Sequence, residues 1–219
     1  MKLITIDGPS ASGKGTVSQL VAEALGWQIL DSGALYRISA YAVLKQGINS
    51  DDEQAVAAIV PTLDIQFKAG QVWVDGVEVS DALRQESTGK MASKIARYPA
   101  LRQALFDRQR AFLTPAGLVA DGRDMGTVIF PDAPLKIYLI ADVNERAKRR
   151  YKQLTDKGFS VVFEDILLDL QKRDEQDMNR PVAPLKPAAD AVVVDSSFMG
   201  IQEVVDTILS CWKAIAQEG

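Results

Sequence analysis

Gly8-Pro9-Ser10-Ala11-Ser12-Gly13-Lys14-Gly15-Thr16 stands directly after the apolar run Leu3–Ile6 and directly before Val17, Leu20, Val21, Ala24 and Leu25, which recur at helical spacing. A strand, a glycine-rich turn and a helix in that order form a phosphate-binding loop: the glycines let successive N–H groups turn inward, and the helix N-terminus adds partial positive charge. Lys14 brings a full charge to the β- and γ-phosphates. Gly15 separates Lys14 from the hydroxyl of Thr16, which leaves that hydroxyl either a metal or the α-phosphate as partner.

Outward from this loop, short apolar runs at 3–6, 29–30, 118–120, 135–140 and 191–194 alternate with helix-like stretches, and an aspartate follows each: Asp7, Asp31, Asp121, Asp142 and Asp195. The runs read as strands buried on both faces, giving an α/β protein with a parallel sheet flanked by helices and ligands at the strand C-terminal ends. The stretch from Asp64 to Ser80 breaks this order. Alternating residues on either side of Asp75-Gly76 predict a small antiparallel hairpin sheet. It belongs to an inserted subdomain over about 41–98, leaving 1–40 and 99–219 as the core. Pro181 to Pro187 is a short rigid connector ahead of the last strand.

Composition narrows the chemistry. The chain has 219 residues, 47% hydrophobic and 25% charged, enough for one sizeable core and a smaller appendage. A formal net charge of −4 excludes whole-surface attraction to nucleic acid or anionic membrane, so any polyanion must meet a local cluster of arginine and lysine. No apolar run approaches the ~18 residues that span a bilayer, and no signal-peptide pattern opens the chain, so a cytoplasmic protein is expected. Cys211 lies at helical spacing among Val204, Val205, Ile208, Leu209, Trp212 and Ile215, a core position. Histidine is absent, which removes histidine bases, triads and His-ligated metals and leaves Asp, Glu, Lys, Arg, Ser and backbone groups to do the work.

Four further clusters carry candidate chemistry. Asp121, at the tip of a buried strand, is placed to support a metal through water. Arg123 follows as a bidentate phosphate donor, beside Asp124, which accepts only. Arg173, Asp177 and Arg180 share one helix face, either as a solvated charge pattern or as a group turned toward one ligand. Asp31 and Ser32 are able to cap the next helix, and Arg37 follows within two turns, in reach of a second phosphate. Arg146, Lys148, Arg149 and Arg150 form a basic patch that is either solvated surface or a cover over a triphosphate.

Taken together, the phosphate loop, Leu30-Asp31-Ser32-Gly33-Ala34-Leu35-Tyr36-Arg37, Ala120-Asp121-Gly122-Arg123-Asp124-Met125-Gly126-Thr127 and the Asn179-Arg180-Pro181-Val182-Ala183-Pro184-Leu185 stretch resemble the bacterial cytidylate kinases, from Ile4 to about Ser197. The resemblance implies the P-loop NTPase fold of the nucleoside monophosphate kinases, with the insert as acceptor-binding subdomain and a short lid at about 146–160. It implies transfer of the γ-phosphate of ATP to CMP or dCMP with Mg2+. Carried over, Ser93, Arg102 and Asp124 face the cytosine, Arg173 and Asp177 the sugar, and Arg37, Arg123 and Arg180 the acceptor phosphate. Ser32 and Tyr36 line the same pocket. Lys14, Arg37, Arg123 and Arg180 are the catalytic cations.

A carboxylate plus an arginine suits cytosine, whose ring edge offers an amino donor and a carbonyl acceptor. Uracil reverses the pattern and would strand buried polar groups at ~1–3 kcal/mol each. Competing expectations are a kinase for AMP, UMP or a small metabolite, a GTP-dependent switch, which lacks its Asn-Lys-x-Asp guanine pattern here, and a nucleic-acid ATPase, disfavoured by the acidic balance. ATP and CMP or dCMP are the expected partners, with neither nucleic acid nor membrane, and no feature predicts a dimer, so a monomer is expected.

Overall fold

In the computed structural model, which describes residues 1–68 and 70–218, the chain divides into two compact units. The first comprises Met1–Leu30 with the chain from Phe112 onward. Its sheet holds five strands, β1 (Leu3–Asp7), β2 (Gln28–Asp31), β6 (Leu118–Gly122), β7 (Leu135–Ile140) and β8 (Val192–Asp195), in the order β2-β6-β1-β7-β8. The pairings of β1 with β6, β1 with β7 and β7 with β8 are parallel, in registers that set Ile6 against Asp121 and Ile137.

All five apolar runs of the sequence are therefore strands, but only β1 and β6 are buried throughout. Every residue of β1 and β6 is buried, whereas Val192 and Val193 on the edge strand β8 are 40% and 54% exposed. The expectation of two buried faces fails for β2 and β8 because β-branched apolar residues suit an edge strand as well as a central one.

Alternation along the strands separates two faces. Ile4, Ile6, Val119, Ile137 and Leu139 turn to one side and pack with Val17, Val21, Val204, Val205 and Ile208 of α1 (Lys14–Leu25) and α9 (Ile201–Glu218). Cys211 packs at the margin of this core, and Trp27 meets Trp212 edge to face at 4.9 Å. Thr5 and Asp7 face the other way, toward the π-helical turn Met125–Ile129 that follows β6. Helices α7 (Val143–Asp156) and α8 (Phe163–Asn179) pack on each other.

The second unit is Asp31–Ala111. Helix α2 (Ser32–Gln46) packs on α5 (Glu86–Ile95) and α4 (Ser80–Arg84), and α3 (Glu53–Ala58) packs on α6 (Pro99–Arg110). Leu35, Ile38, Val43, Val56, Ile95, Leu101 and Leu105 are among its buried apolar residues. The predicted hairpin is present as β3 (Ile65–Lys68), β4 (Gln71–Val74) and β5 (Val77–Glu78), antiparallel, with Trp73 opposite Gln66 and Glu78. Asp75 and Gly76 both have positive φ, 51° and 76°, as a two-residue primed turn requires. The 41–98 stretch lies inside this unit, which also takes in α2 and α6 because their partners α5 and α3 belong to it.

The phosphate loop joins β1 to α1 under tight constraint. A Cβ on Gly8 would stand 2.0 Å from the carbonyl oxygen of Leu139, on a backbone with φ of 153°. We expect Gly8→Ala to lower stability by ~3 kcal/mol or more, or to prevent folding, because the obstacle is backbone that cannot rotate away. Thermal denaturation against the wild type checks this, and a Tm within two or three degrees would contradict it.

Candidate functional site

Each backbone turn of the loop is visible in its dihedral angles. Ala11 has φ of 59° and Gly13, the residue before α1, has φ of 93°. The α1 N-terminus has no side-chain cap and no acidic residue in its first turn, so its leading N–H groups point outward as donors. Lys14 is 5% exposed, and its ammonium donates to the carbonyl of Pro9 at 2.8 Å and to Ser12 Oγ at 3.4 Å. Burial, reinforced by the Arg123 guanidinium, lowers its pKa to about 7, against the opposing pull of Asp121, Asp7 and Asp177.

Asp7 and Asp121 come from adjacent strands, β1 and β6, and Asp177 from α8. Asp121 sits within β6 rather than just beyond it, 7% exposed, and its Oδ2 lies 3.6 Å from where a Cβ on Gly15 would be. Thr16 is exposed in the first turn of α1. Among the described residues no group of three or more His, Cys, Asp or Glu is placed to hold a metal. A hydroxyl and one carboxylate nevertheless fit Mg2+, which keeps most of its waters and takes one or two protein oxygens alongside phosphate.

Arg123 reaches three groups: Nε donates to Asp177 Oδ2 at 3.1 Å, Nη2 to Ser10 Oγ at 2.9 Å and Nη1 to the carbonyl of Gly122 at 3.1 Å. Arg180 follows α8 and approaches Asp177 Oδ1 at 3.7 Å and Asp124 Oδ1 at 4.0 Å, with its side chain 7% exposed. Its Nε also donates to the carbonyl of Ala183, in the proline-rich connector. Thus Arg123, Asp124, Asp177 and Arg180 converge beside the loop, two arginines interleaved with two carboxylates. Arg173 does not join them. It pairs with Asp169 at 2.8 Å, one turn back on α8.

In the second unit, Asp31 caps α2 by accepting from the Ala34 amide at 2.9 Å, which leaves Ser32 free of that task. Buried Ser32 instead donates to Gln109 Oε1 at 2.6 Å. Tyr36 and Arg102 come together, the guanidinium 5.7 Å from the ring centroid, while Arg102 also donates to the Ala96 carbonyl at 3.1 Å. Arg37 is exposed on α2, and Ser93 is half-buried on α5, the helix against which α2 packs.

The profile of the cytidylate kinase family matches residues 4–214. The chain belongs to the cytidylate kinase family. It is 56% identical to the cytidylate kinase of Bordetella bronchiseptica, over 97% of this chain and 95% of that one, and 58% identical to that of Saccharophagus degradans, over 97% of each. Among solved structures it resembles a gluconokinase from Sinorhizobium meliloti, with a TM-score of 0.50 and 17% identity over 99% of this chain and 94% of that one. That likeness concerns the fold alone. Family membership and fold agree with the kinase expected from the loop.

Sequence patterns assign no individual role to four residues of the site. Asp7 accepts from the amides of Met125 and Gly126, both at 2.8 Å, and fixes the turn after Asp124. Gln109 holds Ser32. Arg146 and Asp174 form a buried ion pair at 2.6 Å, lifting Arg146 out of the basic patch, whose Lys148 and Arg150 turn instead to the nearby Glu145 and Gln153. The periodicity of α8 was the available signal for Asp174, three residues before Asp177.

Burial raises the Asp7 pKa to about 7, although the Gly126 and Met125 amides pull it down. Unfolded, the same carboxyl titrates near 4. The folded protein therefore holds an extra proton between about pH 4 and pH 7, and stability contributed by this group is lost as pH rises through that window. We expect Asp7→Asn to lower Tm at pH 5 yet to flatten the decline between pH 5 and 7.5 relative to the wild type. Parallel Tm–pH curves for the two proteins would show that Asp7 does not titrate there.

Proposed function

We propose the following division of roles for an enzyme that transfers the γ-phosphate of ATP to CMP or dCMP, giving CDP or dCDP and ADP. Gly8 to Thr16 bind the donor phosphates through loop amides and Lys14. The acceptor is read by Ser93, Arg102 and Asp124 at cytosine, by Arg173 and Asp177 at the sugar, and by Arg37, Arg123 and Arg180 at its phosphate, with Ser32 and Tyr36 lining its pocket. Residues 41–98 serve as the acceptor subdomain and 146–160 as a lid. The enzyme works as a cytoplasmic monomer on small nucleotides, with neither nucleic acid nor membrane as partner.

The observation that carries this reading is the convergence of Arg123 and Arg180 with Asp124 and Asp177 beside the loop of Lys14. Two permanent cations suit a dianionic phosphate, and a carboxylate that is 3% exposed suits an amino donor on a base. In the reaction an oxygen of the acceptor phosphate attacks the γ-phosphorus, the bond to the β,γ-bridging oxygen breaks, and ADP departs with that electron pair. The attacking oxygen is already anionic, so no strong base is required and a chain without histidine is sufficient. Lys14, Arg123, Arg180 and Arg37 supply charge for the equatorial oxygens. Thr16 and Asp121 would hold Mg2+, Asp121 through water; when bound, the ion adds neutralisation of the phosphate oxygens.

Arg173 is the weakest member of the set, since reaching a ribose requires it to leave Asp169. Such a partly exposed helical pair holds it by only a few tenths of a kcal/mol.

A phosphotransfer assay with CMP, dCMP, UMP and AMP, with and without Mg2+, tests the function. CMP and dCMP are expected to lead, and a preference for AMP would overturn the assignment. Asp124→Ala should erode discrimination against UMP about tenfold, and unchanged selectivity would remove Asp124 from base reading. Lys14→Met should cut kcat by roughly 10²–10³ while Tm holds or rises, because an expensive buried cation is replaced by an apolar chain of similar length. A fall in Tm would refute that account of Lys14.

A further inference from the structure

Arg146 does more in this fold than tie α7 to α8. Its guanidinium donates in three directions: Nε to the carbonyl of Ala141 at 2.9 Å, Nη2 to Asp174 Oδ2 at 2.6 Å and Nη1 to the carbonyl of Ser10 at 3.0 Å. The last of these lies in the phosphate loop. The arginine and aspartate side chains are 5% and 12% exposed, and Asp174 Oδ1 is buried with no hydrogen-bond partner among the described residues. Such a pair is an expensive way to join two helices, since apolar side chains of similar volume would join them as well or better. What it supplies that they cannot is a directed donor for one loop carbonyl.

That carbonyl shares a rigid plane with the N–H of Ala11, and in a trans peptide the two point in opposite directions. Holding the Ser10 oxygen toward Arg146 therefore aims the Ala11 N–H away from it. Ala11 itself has φ of 59°, a left-handed conformation that a residue with a side chain adopts at a cost and keeps only when its surroundings enforce it. Ser10 is gripped a second time through its hydroxyl, which accepts from Arg123 Nη2 at 2.9 Å while Arg123 Nε bonds Asp177. Asp174 and Asp177 stand three residues apart, on one face of α8. One helix face thus presents two arginines to a single loop residue, one to its carbonyl and one to its side chain.

We propose that Arg146, held by Asp174, is a positioning residue for the donor: through the Ser10 carbonyl it sets the Ser10–Ala11 peptide and so the direction in which the loop offers its Ala11 amide to the donor phosphates. The inference rests on the loop being the ATP site, as given above. It separates the two arginines of the clamp, because Arg123 is assigned to the acceptor phosphate whereas Arg146 serves the donor alone.

The test uses the full chain and two variants, Arg146→Met/Asp174→Leu, which replaces the pair by apolar side chains, and Asp174→Asn, which keeps an acceptor for Arg146 but removes the charge. Dissociation constants for ATP and for CMP are measured separately by calorimetry, with Tm and kcat alongside. The double variant is expected to keep its Tm within a few degrees, to bind ATP at least tenfold more weakly and to bind CMP within twofold of the wild type. Asp174→Asn should shift ATP affinity about threefold or more in the same direction.

A folded double variant with wild-type ATP affinity, or with ATP and CMP weakened equally, overturns the proposal. So does a double variant that fails to fold, because the pair is then a structural tie between α7 and α8. Failure of the wild type to phosphorylate CMP would instead sink the functional reading, while the ATP affinities of the variants still judge the clamp.

Discussion

A lysine ammonium withdrawn from water beside an arginine has to be balanced by carboxylates, and the rest of the first unit is arranged around that requirement. Lys14 is 5% exposed and pushed toward neutrality by burial and by Arg123. Asp7 and Asp121 answer from the C-terminal parts of two neighbouring strands, β1 and β6, and Asp177 answers from α8. A parallel sheet delivers these groups together because its strands all end on the same side. The charge balance is close, with Asp7 itself held up to about pH 7 by the same burial. A polyphosphate arriving at the loop would meet donors whose electrostatic strain it relieves, which is the sense in which such a site is preorganised.

Stability and function therefore pull against each other here. Burying Lys14 and the Arg146–Asp174 pair costs solvation that apolar residues would not have lost. The structure recovers this through the core between the sheet and α1 with α9, where Ile4, Ile6, Val21 and Ile208 are fully buried. A robust apolar face on one side of β1 lets the other side carry Thr5 and Asp7, a division that the alternation of side chains along a strand makes possible.

Much of this was legible in the sequence, and the limits have physical causes. The loop, the five strands and the Asp75-Gly76 hairpin follow from local rules: glycine placement, apolar runs and turn chemistry. Whether a strand is central or on an edge is not local, which is why the exposure of β2 and β8 does not show in their apolar runs. Spacing along α8 correctly put Asp177 and Arg180 near each other, but the same spacing promoted Arg173, which found Asp169 one turn away. Arg146 was hidden among Lys148, Arg149 and Arg150, since a run of cations looks uniform until the packing of α7 against α8 shows which one is turned inward. Gln109 and Asp7 act by accepting or orienting hydrogen bonds from residues far along the chain, and no period records such partners.

The tryptophans give the fold a built-in optical asymmetry. The chain has three, and two of them, Trp27 and Trp212, lie edge to face in the first unit, with Gly117 so close beneath Trp27 that a Cβ there would stand 2.6 Å from the indole. Trp73, on β4, is the lone indole of the second unit. Replacing it with phenylalanine would leave an emission spectrum that speaks for the large sheet only, and replacing the other two would leave one that speaks for the hairpin only. Melting of each unit can thus be followed in the intact polypeptide without attaching a dye.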